Sequence, residues 1–411
     1  MKTSLKTLFG ALFFGLCAGS LAPDAALAHG EKALEPFIRM RTIQWYDVAW
    51  SKSKLYVNEE VVITGKFHVA QDWPRGVAKP DATYLNVSAP GPVMVRMERY
   101  LNGQPSVSST ALQPGGDYDF KIVMKARTPG RFHLHPFFNL HDAGAVVGPG
   151  QWLEVEGDAS AFTNQVKTLD GSVIDMESYG LANGVAWHLL WIALGSAWLL
   201  WWVRRPLFIP RYKMLRSGQE ASLITPIDRL AGAAILIGVP LIVLAANFMT
   251  DRRYPYAIPL QAAMDQIDPL PPAVDAGAVQ VKIARAEYHV PARAMILTAQ
   301  IHNRSERPIR VGEFATANVR FLNSAVVQSP LGEGAALAAS EGLAVDAPDP
   351  IAPGESRTIR ITAADSLWQR ERLDGLIRDA DTRMGGLLFL FDDVGRRYIS
   401  SVSAAVIPKF D

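Results

Sequence analysis

Two stretches of twenty residues without a charge, Gly184–Val203 and Leu230–Met249, constrain this chain more than any other feature. Each is long enough to cross the apolar core of a bilayer as a helix. The first carries Trp187, Trp191, Trp198, Trp201 and Trp202, several near its ends, where aromatic side chains favour the membrane interface. The second contains Pro240, which a membrane helix tolerates better than a soluble one. A buried pair of core helices is the alternative, but such helices seldom run so far without charge. Hydrophobic residues make up 49% of the chain against 20% charged, in keeping with membrane content.

The segment between the two runs, residues 204–229, holds Arg204, Arg205, Arg211, Lys213, Arg216 and Arg229 against only Glu220 and Asp228. An excess of Lys and Arg in a short loop marks its cytoplasmic side. The N-terminus gives a second, independent signal. Lys2 and Lys6 precede an apolar run from Leu8 to Leu21 and then Ala26-Leu27-Ala28. That pattern reads as a secretory signal peptide over residues 1–28, a retained anchor being the alternative. With an exported N-terminal region and two spans, the C-terminal region is expected outside the cytoplasm too. Cleavage after Ala28 exposes His29 as the first residue of the mature chain. It also removes Cys17, the only cysteine, so neither a disulfide nor a thiolate remains. Taking Lys2, Lys6 and Asp24 from the 41 basic and 40 acidic residues leaves 39 of each. A neutral exported chain has no electrostatic grip on nucleic acid.

The flanking regions read as β. In residues 29–180, Leu55-Tyr56-Val57, Val61-Val62-Ile63, Lys66–Val69, Val93–Arg96, Tyr118–Val123 and Trp152–Glu156 are short apolar or alternating runs. Asn102-Gly103, Pro114-Gly115-Gly116, Pro129-Gly130 and Gly148-Pro149-Gly150 separate them as turn signals. This spacing points to a β-sandwich or barrel. Residues 250–278 form a linker, with Pro255, Pro259, Pro269, Pro271 and Pro272 favouring extended backbone. Strand-like runs return over 279–411, at Val279–Ile283, Ile296–Ile301, Thr358–Thr362 and Leu387–Phe391, with a short helix expected near Ser366–Arg378. A second sandwich follows from them.

The candidate chemistry lies in Gly130-Arg131-Phe132-His133-Leu134-His135-Pro136. Side chains two apart on a strand share a face, so His133 and His135 point together, opposite Phe132 and Leu134. A histidine in first position offers its α-amine and its ring Nδ1 to one metal. His29, His133 and His135 then make a nitrogen-rich set without sulfur. Divalent affinity at such sites peaks at copper, although zinc also accepts three histidines, so the ligands alone leave both open. His68, His141, His188, His289 and His302 lack such pairing and read as structural. Without cysteine a blue-copper site is excluded.

The run His29-Gly30-Glu31-Lys32, followed by Arg39–Asp47, closely resembles the B subunits of the copper membrane monooxygenases, the particulate methane and ammonia monooxygenase family. Gly65–His68, residues 130–136, Gly148-Pro149-Gly150, Arg205-Pro206, Ile258–Ala262, Gly312-Glu313-Phe314, Arg320–Asn323 and Ala352–Glu355 carry the resemblance along the mature chain. It implies a mainly β protein, two cupredoxin-like β-sandwich domains joined by two transmembrane α-helices. It implies a bacterial inner or intracytoplasmic membrane, two further membrane subunits, A and C, and a trimer of heterotrimers. It places copper on His29, His133 and His135. Some members have a second copper site with histidines at the positions of Gln44 and His68; the first is glutamine here, a poor copper ligand. Family oxygenation is implied at metal sites of a partner subunit. Asp72–Arg75 and His141–Gly144 resemble ammonia-oxidising members, while methane and short alkanes are substrates elsewhere in the family. Two other readings of the residues stand beside this one. A periplasmic copper carrier would favour clustered thioethers, and the ten methionines other than Met1 are scattered. A metal-free assembly scaffold would use the sandwiches only to dock partners.

Overall fold

The computed structural model describes residues 34–168, 170–255, 265–273, 275–330 and 332–411. The expected leader, residues 1–28, and His29 lie outside the described residues. Two compact units emerge, one from Met1–Ala161 with Ala263–Asp411 and one from Phe162–Ala262.

The first unit begins with helix α1 (Pro36–Arg41), which leads into β1 (Ile43–Trp50). Eight further strands build the N-terminal sandwich: β2 (Lys54–Tyr56), β3 (Glu60–Val69), β4 (Thr83–Ser88), β5 (Met94–Leu101), β6 (Asp117–Ala126), β7 (Gly130–Leu140), β8 (Gly144–Val147) and β9 (Gln151–Glu156). One sheet runs β1-β3-β6-β5 with Gln104–Pro105 on its edge. The other runs Asp265–Gln266, Thr110–Ala111, β4, β7, β9, β2, with β8 paired to β7. The expected runs at 61–63 and 66–69 are one strand, β3, because Thr64 and Gly65 between them keep the ladder with β6 unbroken, opposite Lys121 and Phe120. Alternation fills the space between the sheets. Phe67 and Tyr118 stack at 5.1 Å, and Trp45 stacks on Phe138 at 5.4 Å. Such aromatic pairs add to the area they bury.

The C-terminal sandwich comprises β10 (Val279–His289), β11 (Ala294–Asn303), β12 (Ile309–Thr316), β13 (Val319–Leu322), β14 (Ser356–Ala364), β15 (Arg383–Asp392) and β16 (Arg397–Lys409). These form one continuous path, β13-β12-β15-β16-β10-β11-β14, with short strands at both ends. The thirteen-residue β16 lets the path fold on itself: Arg397–Ala405 pairs antiparallel with β15, then Val406–Lys409 pairs parallel with β10. A strand that switches sheets makes the corner. Tyr288, Leu297 and Ile361 from one layer then meet Phe314, Phe321 and Leu388 from the other. Trp368 sits among them, 5.0 Å from the Phe321 ring, on a short helix Leu367–Arg370 inside the span expected to be helical.

The two sandwiches are clasped by α1. Ile38 enters the N-terminal core and Met40 the C-terminal one. Arg41, with 1% of its side chain exposed, donates Nη1 to Asp381 at 2.7 Å and Nε to the Asp72 carbonyl at 3.0 Å. Asp72 also accepts Arg383 Nε at 2.7 Å, and Arg397 pairs with Asp47. The expected linker differs in one respect. Asp265–Gln266 joins a sheet edge, Ile267 is buried in the N-terminal core, and Leu270 donates its N–H to the Asp117 carbonyl. Prolines hold this segment extended, which is also the conformation an edge strand needs.

The second unit holds α2 (Leu181–Val203), α3 (Phe208–Arg216) and α4 (Pro226–Arg253). The two long helices contain the uncharged runs and extend past them, and both are long and apolar enough to cross a membrane. No residue of α2 and only Asp228 of α4 is buried. Leu189, Ile192, Leu236 and Leu244 are among the side chains left well exposed. Apolar surface on this scale needs a bilayer or another protein to cover it. At the turn, Asp228 completes a capping box with Thr225 and accepts Arg205 Nη2 at 2.8 Å and Trp201 Nε1 at 2.9 Å. Helix α3 is an addition to the loop expected over 204–229; its Pro210 falls in the first turn, where no helical N–H bond is lost.

Candidate metal centre

Strand β7 positions the paired imidazoles. Gly130 opens it at φ 144°, and burial then alternates: Leu134, Phe138 and Leu140 enter the core while His133 and His135 lie half-buried on the other face. Their ring centroids are 4.5 Å apart with planes at 82°. Across the ladder, β9 sets Trp152 opposite His133. The indole lies 4.9 Å from the His133 ring, and the Arg131 guanidinium sits 4.7 Å over it.

His135 is oriented from the opposite side. Its Nδ1 lies 2.9 Å from the Gly148 carbonyl. A carbonyl can only accept, so Nδ1 carries the proton and the Nε2 lone pair is left for a ligand. Gly148 is fixed in turn: its N–H donates to the Pro136 carbonyl at 2.7 Å, and a Cβ there would come within 2.9 Å of the Trp45 indole. Gly150 backs the imidazole so closely that a Cβ would lie 2.5 Å from its ring atoms. Burial pushes the His135 imidazolium below its ordinary range, and the neighbouring His133 adds to this; the Gly148 carbonyl opposes it. A ring held neutral with one nitrogen oriented is the state a metal needs.

The structure therefore brings together His133 and His135 as expected, and the donor set is nitrogen alone. Among the described residues no third His, Cys, Asp or Glu joins them. The remaining expected ligand, His29, lies outside the described residues. Two oriented imidazoles fit copper and require at least one more donor.

Gln44 and His68 face each other as register partners of β1 and β3, both buried. Gln44 Nε2 donates to the Met40 carbonyl at 2.8 Å, and His68 Nδ1 lies 3.0 Å from Asp117 Oδ1. Gln44 Oε1 and His68 Nε2 have no hydrogen-bond partner among the described residues. A glutamine there supplies one weak oxygen donor in place of an imidazole.

Comparison with known proteins decides what this arrangement belongs to. The profile of the monooxygenase B-subunit protein family matches residues 30–410. The chain belongs to that family. The match extends over both sandwiches and both long helices, so this B-subunit chain is one part of an oxidoreductase with a membrane-associated architecture. Its relatives include the particulate methane monooxygenase alpha subunit of Methylococcus capsulatus (strain Bath), 44% identical over 400 residues, which are 97% of this chain and 96% of the relative. Among solved structures, the cupredoxin domain of amoB from Nitrosocaldus yellowstonii is 17% identical at a TM-score of 0.24, covering 29% of this chain and 89% of its own. The adhesin InvE of Yersinia pseudotuberculosis is 8% identical at a TM-score of 0.17, covering 88% of this chain and 60% of its own. Neither structural likeness is strong enough to carry an argument.

Sequence reasoning misses the residues that orient the histidines of this monooxygenase chain. The Gly148 carbonyl and Gly150 lie in what reads only as a turn, and Asp117 is 49 residues from His68. A carbonyl leaves no sequence signature. Trp152 reads as a strand residue, and only the β7–β9 register reveals its ring against His133.

Proposed function

We propose that this chain is the copper-binding subunit of a membrane-bound monooxygenase that hydroxylates a small substrate with O2 and an external reductant. His29, His133 and His135 hold the copper, His29 through its free amine and ring after removal of residues 1–28. A copper ion so held supplies a redox-active centre open to O2. The chain's own residues orient it. Gly148 fixes the tautomer of His135, Gly150 admits the ring, and Trp152 with Arg131 flanks His133. Two membrane subunits of types A and C accompany it, as a trimer of heterotrimers, with the oxygenation chemistry in a partner subunit. Both sandwiches lie in the periplasm and residues 204–229 in the cytoplasm. The substrate is methane, or ammonia or a short alkane; the methane-oxidising relative supports the first.

The observation that carries this reading is the His133–His135 pair with its Nδ1-locked ring, on a chain of this family. The test is copper content and substrate oxidation of the purified complex, with methane and ammonia assayed in parallel. Loss of copper in a His133→Ala, His135→Ala variant that still assembles is expected. Copper unchanged in that variant overturns the site.

A further inference from the structure

We infer that α3 is an interfacial helix that binds anionic phospholipid headgroups at the turn between the two spans. The inference rests on the reading that α2 and α4 cross a bilayer.

The helix has two unlike faces. At 100° per residue, Met214 and Arg211 share one side, and both are partly buried. Arg211 Nη2 donates to the Leu223 carbonyl at 2.8 Å, and its guanidinium lies 5.3 Å over the Trp202 ring. That face closes the loop onto the end of α2. Beside it, an arc of about 120° running from Leu215 through Tyr212 to Ile209 presents side chains that are 48%, 56% and 55% exposed. Three large apolar side chains on one face of a nine-residue helix are left for something outside this unit.

Charge decides what that is. Lys213 borders the apolar face on one side, and the Arg216 guanidinium sits 5.5 Å over the Tyr212 ring within it. Arg204 follows immediately on the last residue of α2. Of the six cations in residues 204–229, Arg205 is neutralised by Asp228. Arg204, Lys213 and Arg229 are exposed, and Glu220 is the only other acid in the segment. An apolar face rimmed by long cationic side chains, at the end of a membrane-length helix, matches the boundary between acyl chains and headgroups. Apolar rings enter, and Lys and Arg stems reach up to the phosphates. A protein partner would need matching carboxylates around an apolar patch; a leaflet rich in acidic lipid offers both components along the whole helix.

The test uses the assembled complex with Cys17→Ser, so that one introduced cysteine carries an environment-sensitive dye. Probes at Ile209→Cys, Met214→Cys and, within α2, Leu194→Cys are compared in nanodiscs of phosphatidylcholine with or without phosphatidylglycerol. Position 209 is expected to shift to the blue as phosphatidylglycerol is added and to be quenched by lipids spin-labelled near the headgroup. Salt, or Arg204→Gln with Lys213→Gln, should reverse the shift, each lost cation weakening headgroup association about fivefold. Position 214 should respond little. A position 209 that stays water-like, or that is buried without lipid quenching and regardless of lipid charge, overturns the inference. A water-like position 194 refutes the spanning reading itself.

Discussion

At the scale of single residues, the decisive contact is the His135 Nδ1–H to the Gly148 carbonyl. His133 and His135 are legible in the sequence because strand periodicity is two and depends on nothing distant. The acceptor is not, since it lies thirteen residues away through a turn. Gly150→Ala tests the contact without replacing a proposed ligand. The new methyl, 2.5 Å from the ring, has to displace the imidazole from the carbonyl. Copper content is expected to fall about tenfold or more, as for loss of an orienting partner, with the complex still assembled. Full copper retention would mean that the ring finds its orientation another way. Asp379 gives a second prediction, on stability. Burial, with Glu35 and Asp381 nearby, pushes its carboxyl from 3.8 up to about 6. A carboxyl whose pKa rises on folding contributes most below its unfolded value, and that contribution is lost as pH passes the folded one. The carboxylate is therefore a cost above about pH 6. Allowing for solvent screening, Asp379→Asn should stabilise the chain by about 1 kcal/mol at neutral pH and by nothing near pH 4. Thermal unfolding at the two pH values reads the difference; an equal effect at both would refute it.

At the scale of elements, local patterns succeed and long-range pairings do not. Runs such as Thr358–Thr362 and Leu387–Phe391 fall inside β14 and β15 because alternation or continuous apolarity is itself the strand signal. β16 escapes notice: Ser400, Ser401 and Ser403 break its apolar pattern, and its switch between sheets is set by what lies on either side. α1 is the sharpest case. Six residues, mixed in character, read as nothing in particular, yet they supply Ile38 to one core, Met40 to the other and Arg41 to the seam between them. The seam makes a contrast of magnitudes. Arg41 is buried against Asp72 and Asp381, whereas Arg397 pairs with Asp47 at a third exposure or more on both sides. Removing Arg41 loses the packing of a buried side chain together with its charge-assisted hydrogen bonds across the seam, while an exposed pair contributes little. Arg41→Ala should cost about 3 kcal/mol and Arg397→Ala about 1 kcal/mol or less. Thermal unfolding of the two variants in the same detergent gives the comparison. Equal losses would show that α1 is not the clasp.

At the scale of the whole molecule, the spans, the leader and the loop charges can be checked against the packing of the β regions. Residues before and after the two long helices share one compact unit, tied by Arg41–Asp381 and Asp72–Arg383. Partners in a hydrogen bond occupy one compartment, so helices that cross a bilayer between them must cross an even number of times. Two spans satisfy this, and one would not. In the topology proposed above, the charge bias of residues 204–229 sets the turn on the cytoplasmic side. That bias uses side chains which take no part in the sandwich contacts. The expected outcome is therefore specific. In intact cells carrying the Cys17→Ser background, a membrane-impermeant maleimide that passes the outer membrane should label Asn58→Cys and Asp393→Cys, on the two sandwiches. Gln219→Cys should react only after the inner membrane is opened. Labelling of position 219 in intact cells together with protection of 58 and 393 would invert the orientation. Labelling of 58 with protection of 393 would break the packing argument itself, since one sandwich would lie on each side of the bilayer. His29 follows the same logic. An amine ligand can share a metal with His133 and His135 only on their side of the membrane. N-terminal sequencing that begins at His29 would supply that ligand, and a chain still beginning at Met1 would withdraw it.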